Sequence, residues 1–350
     1  MEEFFMKWKL TTLIENHMDK EESYVCEHGL SVLIESVNQE PPVRLLMDTG
    51  QSGTFYDNAA KMGISLEDLS ALLISHAHYD HAGGVKRLIE EEKVRKMYVG
   101  KDFFREKYYE KKDGTMKNIG IAFSREELEK KGVSVCEVKE DMQMIFSGVT
   151  LHRNFERAIE YEPLNPHFFI KKEENAEEDF VDKSVSQDKT VAVARYADRI
   201  QAKSPANCNE HLTESIFQTH SNFSDEELSQ FAIEEKFSIY TKDSFTDEIA
   251  VALDTEKGLV VIVGCSHPGI MNILKTIEKR SGKKICGVVG GTHLMEADEE
   301  RLRKTIVDLK KMNINFIAVS HCTGEDNLEM IKENFGEKFI FNCTGNVIRF

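Results

Sequence analysis

The chain has 350 residues, of which 41% are hydrophobic and 30% are charged. It can therefore bury the core of one large α/β domain or of two smaller ones, and global disorder is excluded. Asp and Glu number 61 against 45 Lys and Arg, a net charge of −16 that disfavours binding to nucleic acid or to an anionic membrane surface.

The N-terminus and the cysteines indicate the cellular compartment. The first seven residues include acids where a secretory signal has basic residues, and no stretch approaches the roughly 20 apolar residues of a membrane span. The seven cysteines are widely spaced and form no CxxC pair, which is typical of a reducing environment. We expect a cytoplasmic protein with no membrane or nucleic-acid partner, and the sequence leaves a homodimer open.

The first third of the chain alternates short apolar runs with turns and helical segments. Strands are predicted at residues 10–15, 30–36, 43–47 and 94–99, and an apolar run covers 71–74. A charged helix is predicted after Gly84 and continues to about residue 96. Strands that alternate with helices indicate a layered α/β domain.

The last third repeats one unit, which is a strand, a histidine-bearing turn and a helix. The predicted strands cover 258–263, 283–289 and 315–319, and the predicted helices cover 270–279, 298–311 and 325–335. The three turns contain His267, His293 and His321. Ligand sites in layered α/β folds gather beyond the carboxyl ends of strands, so these turns are candidates for a shared site.

The middle of the chain is polar and includes an acidic run at residues 173–179. We interpret residues 172–245 as an inserted subdomain or lid. Residues 1–171 then form the first half of the main domain, and residues 246–350 form its second half. The acidic run itself is typical of a solvated loop.

The strongest chemical signal is His76-Ala77-His78-Tyr79-Asp80-His81, directly after the apolar run at 71–74. Three imidazoles and a carboxylate within six residues cannot all be satisfied inside a packed core, and this donor set suits zinc, iron or manganese. Residues 76 and 78 leave the strand on one side, and residues 80 and 81 reach the other. The spacing therefore allows two metal ions a few Å apart.

This segment resembles the His-x-His-x-Asp-His signature of the metallo-β-lactamase fold superfamily, and Asp48-Thr49-Gly50 is similar to an early Asp-Thr-Gly turn of that family. The resemblance implies an α/β fold, the metallo-β-lactamase-like αββα sandwich, here with an inserted polar subdomain. It also implies that Asp48 supports the metal-binding loop without touching the metal. His321 resembles the final histidine ligand of a second metal.

Finer motifs resemble one branch of the superfamily, represented by the dihydropterin-6-ylmethyl ribofuranosylaminobenzene 5'-phosphate synthase of methanopterin biosynthesis. These motifs are Glu27-His28-Gly29, Asp48 to Gly53, Gly264 to Gly269, Gly291 to Leu294 and His321 to Gly324. The resemblance implies the joining of a pterin-methyl diphosphate to an aryl amine with loss of diphosphate.

The sequence departs from the superfamily where a bridging aspartate commonly follows a strand-end glycine, because it has Gly264-Cys265-Ser266-His267. We expect His267 to bind metal here. Cys265 is expected to be a buried packing residue beside the metal, with thiolate ligation as the alternative. The third histidine of the family has no clear counterpart, and the nearby candidates are His152, His167 and Asp247.

Three further residues are candidates for contact with substrate. His293 follows two glycines and faces the substrate in one interpretation, whereas in the other it is structural. Thr323 and Gly324 open a predicted helix, so their backbone N–H groups are suited to a phosphate or diphosphate oxygen. An ordinary helix cap explains the same two residues.

The favoured hypothesis is a metal-dependent hydrolase, or a pterin-methyl diphosphate transferase, that acts on a phosphorylated small molecule. One or two divalent ions, zinc by default with manganese or iron as alternatives, would be held by His76, His78, Asp80, His81, His267 and His321. Asp80 and His81 are the expected catalytic residues, and Asp80 is placed to pass a proton to the leaving group. The alternatives are a non-catalytic sensor that binds metal or ligand and a di-iron oxidoreductase of the same fold.

Overall fold

The computed structural model describes residues 5–19, 21, 23–172 and 236–350, which fall into two compact units. The first unit contains Met1–Lys107, Ile119–Pro166 and Asp243–Phe350, and the second contains Tyr108–Asn118 and His167–Lys242. All six candidate metal ligands of the sequence analysis are in the first unit.

One sheet of the first unit combines the N-terminal strands with the last strand of the chain. In sheet order its seven strands are β17 (Val347–Arg349), β1 (Trp8–Ile14), β2 (Ser31–Ser36), β3 (Arg44–Met47), β4 (Ala71–Leu73), β5 (Lys96–Val99) and β8 (Ser134–Glu137). The pairing from β3 through β4 and β5 to β8 is parallel, so the carboxyl ends of these strands lie at one edge.

The second sheet of this unit comes mainly from the last third of the chain. In sheet order its six strands are β16 (Phe316–Ser320), β15 (Ile285–Gly291), β14 (Gly258–Val263), β13 (Ile249–Thr255), β10 (Val149–Arg153) and β9 (Met142–Phe146). Strands β14, β15 and β16 are parallel neighbours. The three predicted histidine-bearing turns therefore leave the same edge of this sheet.

Both sheets are buried on their two faces, which explains why the strands read as continuous apolar runs. In β2, Val32 faces the core between the two sheets, whereas Leu33 faces the outer helices. In β14, Ile262 joins the same inner core, whereas Val261 packs against the helices on the other side. Alternate residues of one strand thus hold two layers together.

Helices cover the outer face of each sheet. Among the described residues, the seven-stranded sheet packs against α1 (Thr54–Lys61), α2 (Tyr79–Ala82), α3 (Val85–Glu90) and α4 (Arg125–Lys130). The six-stranded sheet packs against α5 (Ile270–Ser281), α6 (Glu299–Lys311) and α7 (Glu325–Phe335). This sequence of layers confirms the predicted αββα sandwich.

The second unit contains a four-stranded sheet in the order β12 (Tyr240–Lys242), β11 (Phe168–Lys171), β6 (Lys107–Glu110) and β7 (Met116–Asn118). Aromatic pairs hold it together, with ring centroids 5.1 Å apart for Tyr109 and Phe168. Residues 173–235 lie outside the described residues. The boundaries of an inserted subdomain at 172–245 therefore stay a prediction.

One predicted element is wrong in length. The charged helix was expected to reach about residue 96, but α3 ends at Glu90, and Glu92 has a left-handed backbone with φ of 55°. The chain turns there because Val94 is buried in the core directly before β5. The predicted strand 258–263 and helix 325–335 are confirmed at both ends.

Candidate metal centre

The carboxyl ends of β4, β14, β15 and β16 bring polar turns from both sheets of the first unit together. Asp80 and His81 lie in the short helix α2. The other side chains of the site lie in the turns that follow these four strands. Eight chemically active side chains at these ends are no more than 8% exposed: His76, His78, Asp80, His81, Cys265, His267, His293 and His321. Such a concentration of buried polar groups indicates a functional site.

Three imidazoles form a first cluster, which we call the three-histidine cluster: His76, His78 and His267. Nδ1 of His78 is 3.0 Å from Nε2 of His76 and 3.2 Å from Nε2 of His267. The ring of Phe245 stacks on His267 with centroids 4.3 Å apart and an interplanar angle of 5°. Three ring nitrogens therefore converge on one point from two different sheets.

A second cluster combines a carboxylate with two imidazoles, and we call it the aspartate cluster: Asp80, His81 and His321. Nε2 of His81 and Nε2 of His321 are 3.2 Å apart. Oδ2 of Asp80 is 3.4 Å from Nε2 of His321 and 3.8 Å from Nε2 of His81. The ring centroids of His76 and His81 are 4.3 Å apart, so the two clusters are adjacent.

Cys265 lies between the two clusters. Its Sγ is 3.0 Å from Nε2 of His81. The sulfur forms one set of potential metal ligands with His76 and His267, and another with the aspartate cluster, and within each set all ligand atoms lie within 4.8 Å of one another. The structure thus places this thiol at the focus of the site, and its predicted packing role stays a prediction.

The two clusters differ in the protonation of their imidazoles, and the three-histidine cluster is the one that is neutral. Burial lowers the pKa of His76, His78 and His267 well below 6.5, so these rings are neutral and have a lone pair to offer. For His81, burial also acts to lower the pKa, but Asp48 and Asp80 outweigh it and raise the pKa to about 9. The aspartate cluster is therefore the part of the site with the more polar surroundings.

The donor set fits one or two divalent cations. Imidazole nitrogens, a carboxylate oxygen and a thiol sulfur are the ligands that zinc and neighbouring transition metals prefer. The ring nitrogens within each cluster meet at 3.0 to 3.2 Å, and burial keeps the rings of the three-histidine cluster neutral. A cation would stabilise this arrangement.

Asp48 supports both clusters from behind. Its Oδ2 is 2.7 Å from Nδ1 of His81 and accepts a hydrogen bond from the hydroxyl of Ser75, while its Oδ1 accepts the backbone N–H of Ser75. The Ser75 hydroxyl oxygen is in turn 2.9 Å from Nδ1 of His76. Asp48 therefore contacts the loop of His76 and His81 from behind, and its supporting role at a metal site stays a prediction.

The loop that follows β1 holds His321, a contact that was not predicted. The side-chain oxygen of Asn16 is 2.9 Å from Nδ1 of His321, and Glu15 accepts the backbone N–H of His321. Asn16 also contacts His28, whose Nε2 is 3.2 Å from Oδ2 of Asp80. The Glu27-His28-Gly29 motif was the signal in the sequence that pointed to this region.

A second support beneath the loop also went unpredicted. The backbone N–H of Ala77 donates to Oδ2 of Asp247, and Nζ of Lys107 binds both Asp247 and Asp243 at 2.7 and 2.8 Å. All of these side chains are buried. Asp247, a sequence candidate for the missing ligand, thus fixes the peptide between His76 and His78.

Strained backbone marks the same strand ends. Four site residues other than glycine have a left-handed conformation: Asp48, Ser266, His293 and His321, with φ between 50° and 63°. Such conformations cost about 1–3 kcal/mol each and concentrate at functional sites. Gly29 is needed for close approach, since a Cβ there would lie 2.5 Å from the Asp80 carbonyl oxygen.

The remaining candidates border the two clusters, and the ring centroid of His293 is 4.3 Å from that of His267. His293 forms a set of potential ligands with Cys265 and Cys322, and its Nε2 is 3.0 Å from Glu296. The Thr323 hydroxyl donates to the Ser320 carbonyl, and Gly324 is the N-cap of α7. Substrate contact by His293, Thr323 and Gly324 therefore stays a prediction.

Two histidines that were considered for the missing ligand are elsewhere. Within the described part of the chain, neither His152 nor His167 belongs to a set of potential metal ligands. His152 is buried in β10, and His167 lies beside Glu110 in the second unit. Among the same residues, no helix is long and apolar enough to cross a membrane.

Comparisons with known proteins agree with this geometry. The Metallo-beta-lactamase superfamily matches residues 27–182, and a family of unknown function matches residues 186–230. The chain is 28% identical over 346 residues to the 7,8-dihydropterin-6-methyl-4-(beta-D-ribofuranosyl)-aminobenzene-5'-phosphate synthase of Methanocaldococcus jannaschii, covering 98% of this chain and 96% of the relative. An uncharacterized protein of the same organism is 26% identical, covering 96% and 98% of the two chains.

A shorter similarity and a solved structure point the same way. A hydroxyacylglutathione hydrolase of Francisella tularensis is 33% identical over 111 residues, which is 31% of this chain and 42% of that protein. The crystal structure of Tm1679, a metal-dependent hydrolase of the beta-lactamase superfamily, matches the fold with a TM-score of 0.67 and 24% identity over 97% of this chain and 98% of that one. Residues 27–182 thus match the metallo-β-lactamase superfamily, and the chain has the fold of its proteins.

Proposed function

We propose that this protein is a metal-dependent enzyme that hydrolyses or transfers a group of a phosphorylated or diphosphate-bearing small molecule. The observation that carries the proposal is the meeting of the three-histidine cluster and the aspartate cluster at the strand ends. Within each cluster the facing ring nitrogens lie 3.0 to 3.2 Å apart, and between the clusters the ring centroids of His76 and His81 are 4.3 Å apart. Catalytic pockets in α/β folds form at this edge of the sheet.

The two clusters divide the expected ligands into two sets. His76, His78 and His267 would hold one divalent ion, and Asp80, His81 and His321 would hold a second. Bound there, divalent metal supplies Lewis-acid chemistry, which acidifies water and neutralises phosphate oxygens. Such local positive charge would attract an anionic substrate in a chain whose net charge is −16.

The substrate class follows from the similarity to the pterin-related synthase over nearly the full length of both chains. A reaction of that type joins a pterin-methyl diphosphate to an aryl amine and releases diphosphate. Hydrolysis of a phosphorylated compound needs the same recognition of phosphate oxygens, with water in place of the amine. The proposal therefore names a diphosphate or phosphate ester, and pterin is its favoured organic part.

Asp80 is the residue that we assign to proton handling. Burial acts to raise the pKa of this carboxyl, but His81, His28 and His321 outweigh it and lower the pKa well below 3.8. Asp80 is therefore ionised, and its Oδ2 accepts a hydrogen bond from Nε2–H of His28. The side chain of His28 is 46% exposed. This pair connects the buried site with solvent at one edge.

The test is an assay of purified protein whose metal content has been measured. The substrates are a panel of phosphate and diphosphate esters, including a pterin-methyl diphosphate with an aryl amine acceptor, and released phosphate and diphosphate are the readouts. Asp80→Ala should reduce turnover to background without a change in the circular dichroism spectrum. Asp57→Ala, on the exposed face of α1, is the control and should retain activity.

Unchanged turnover in Asp80→Ala would overturn the assignment. Full metal loading with no turnover on any ester would instead favour a sensor that binds metal or ligand without catalysis. Elemental analysis of the same samples identifies the metal and gives its stoichiometry.

A further inference from the structure

Among the described residues, the sulfur of Cys265 belongs to all three sets of potential metal ligands. It belongs to a set with His76 and His267 and to a set with the aspartate cluster, and in each set the ligand atoms lie within 4.8 Å of one another. Cys265 is 3% exposed, so the sulfur faces the interior of the site. A side chain used only for packing has no need to meet potential ligands from both sheets.

The turn that carries Cys265 is fixed in place on both sides. A Cβ on Gly264 would lie 2.1 Å from the Ser75 hydroxyl oxygen, so the strand end presses directly against the metal-binding loop. The backbone N–H of Gly291 donates to the Gly264 carbonyl, and the Ser266 hydroxyl donates to the Gly291 carbonyl. The sulfur is therefore held between the two clusters by packing and by hydrogen bonds of its neighbours.

Charge balance favours an anion at this position. Among the six ligands named under the proposed function, Asp80 alone is negative, and the others are imidazoles. Two divalent ions about 3.5–4 Å apart repel each other strongly unless an anion lies between them. A thiolate has several lone pairs and prefers transition metals such as zinc.

Cys322 is the alternative source of sulfur, but its contacts are different. Its Sγ accepts the backbone N–H of His293 at 3.2 Å and lies 3.5 Å from the Cys265 carbonyl oxygen. It shares a ligand set with Cys265 and His293, and it belongs to neither of the sets that include the two clusters. These contacts give Cys322 a place in the local turn structure.

We propose that Cys265 binds metal as a thiolate and that its sulfur is shared by the two metal positions. One position has His76, His78 and His267, and the other has Asp80, His81 and His321. On binding, the S–H bond breaks, its proton leaves to solvent, and the electron pair stays on sulfur to form the bonds to metal. This inference rests on the proposed function, because it needs metal at both clusters.

X-ray absorption at the zinc edge of protein loaded with zinc alone tests the proposal. A shared sulfur gives one Zn–S distance of about 2.3 Å per zinc in protein that contains two zinc ions. A sulfur bound to one of the two ions gives half of one sulfur per zinc. Cys265→Ser should remove the sulfur signal and lower the stoichiometry of zinc that survives dialysis.

Two matched variants make the result specific. Cys322→Ser removes the neighbouring buried thiol, and Cys286→Ser removes a buried thiol beside Thr255, remote from the site. Both should keep the full sulfur signal. Cys265→Asp should restore zinc stoichiometry without sulfur, because a carboxylate is also able to bind two ions.

Several outcomes would overturn the proposal. They are a zinc environment without sulfur in the wild type, half of one sulfur per zinc at full loading, or loss of the signal in Cys322→Ser with retention in Cys265→Ser. The wild-type spectrum decides the question even if Cys265→Ser does not fold. Zinc that binds at both clusters without sulfur leaves the proposed function intact, whereas no zinc binding at all contradicts the proposed function itself.

Discussion

Three imidazoles of the site are oriented by an oxygen behind the ring. The Ser75 hydroxyl donates its hydrogen to Asp48, so its oxygen accepts from Nδ1–H of His76 and leaves Nε2 with a lone pair directed to the site. Asp48 itself accepts from Nδ1–H of His81, and Asn16 accepts from Nδ1–H of His321. Contacts of this kind fix the tautomer of a metal-binding histidine and raise its basicity.

We predict that Asn16→Leu weakens metal binding about 10- to 100-fold, because His321 loses the acceptor that holds its ring. The Asn16 side-chain oxygen also accepts the backbone N–H of Gly29, which can only donate, so the orientation of the amide is fixed. Asn16→Asp keeps an oxygen in this place and should retain wild-type affinity. Competition with a chromogenic chelator measures the dissociation constant.

The control for this prediction is Asn334→Leu, which removes an amide on the exposed face of α7. Its metal affinity should equal that of the wild type. Equal weakening in Asn16→Leu and Asn16→Asp would show that the oxygen behind His321 has no part in binding.

Sequence reasoning found the residues that have a chemical signature and missed those that act through packing. His76, His78 and His81 lie within one motif, and the structure brings them together. No metal-binding pattern surrounds Asn16 in the sequence. It contacts His321 because the fold brings the ends of β1 and β16, from opposite ends of the chain, next to each other. A contact between residues 305 positions apart is not encoded in any local pattern.

At the scale of elements, two of the helices that follow site turns begin differently. Helix α5 starts after the His267 turn, and Glu162 accepts the backbone N–H groups of Met271 and Asn272 at 2.9 and 2.8 Å. A buried carboxylate thus occupies the place where a phosphate would bind. Helix α7 starts at Gly324, which offers no side-chain cap. An anion contact, where there is one, is therefore expected at α7 rather than at α5.

We predict that Glu162→Gln lowers the free energy of unfolding by about 1–2 kcal/mol, because an amide satisfies one N–H of the helix and turns its own N–H₂ towards the other. Urea denaturation of the metal-free protein measures the change. Glu160→Gln, two residues earlier and exposed, is the matched control and should change it by less than about 0.5 kcal/mol. Equal effects of the two substitutions would contradict a capping role.

Element types were predictable because strands buried on both faces and amphipathic helices have distinct patterns. The error at α3 has a physical cause, since charged residues beyond Glu90 continue a helical composition while Val94 has to enter the core. Composition indicates whether a segment favours a helix, whereas the residue at which a short helix ends depends on the next residue that has to be buried.

At the scale of the whole molecule, the site joins the two sheets of the first unit. His76 and His78 come from the seven-stranded sheet, and His267 and His321 come from the six-stranded sheet. The core between the sheets continues up to this edge. Metal held by residues from both sheets would stabilise the native state, since a ligand that binds only the folded protein raises its stability.

Global unfolding exposes the buried imidazoles to water, so the pH dependence of stability sums opposite contributions. Burial and the nearby Arg280 lower the pKa of His152 to about 4, so unfolding takes up a proton below pH 6.5, and this group costs stability as the pH falls. His81 has its pKa raised to about 9. It is protonated in both states below pH 6.5, and its stabilisation is lost only as the pH rises from 6.5 to about 9.

We predict that His152→Leu makes the metal-free protein less sensitive to acid. In the wild type this buried group should lower the free energy of unfolding by about 1.5 kcal/mol as the pH falls from 6.5 to 5, because the slope approaches about 1.4 kcal/mol per pH unit once the unfolded imidazole is protonated. The variant should lose that part of the pH dependence, because leucine fills the place in β10 and does not titrate. Urea unfolding at the two pH values with a chelator present measures the difference.

The control is His167→Leu, which replaces a side chain that is 51% exposed and should keep the wild-type dependence on pH. An equal loss of stability in wild type and His152→Leu would show that this imidazole is not held neutral in the fold.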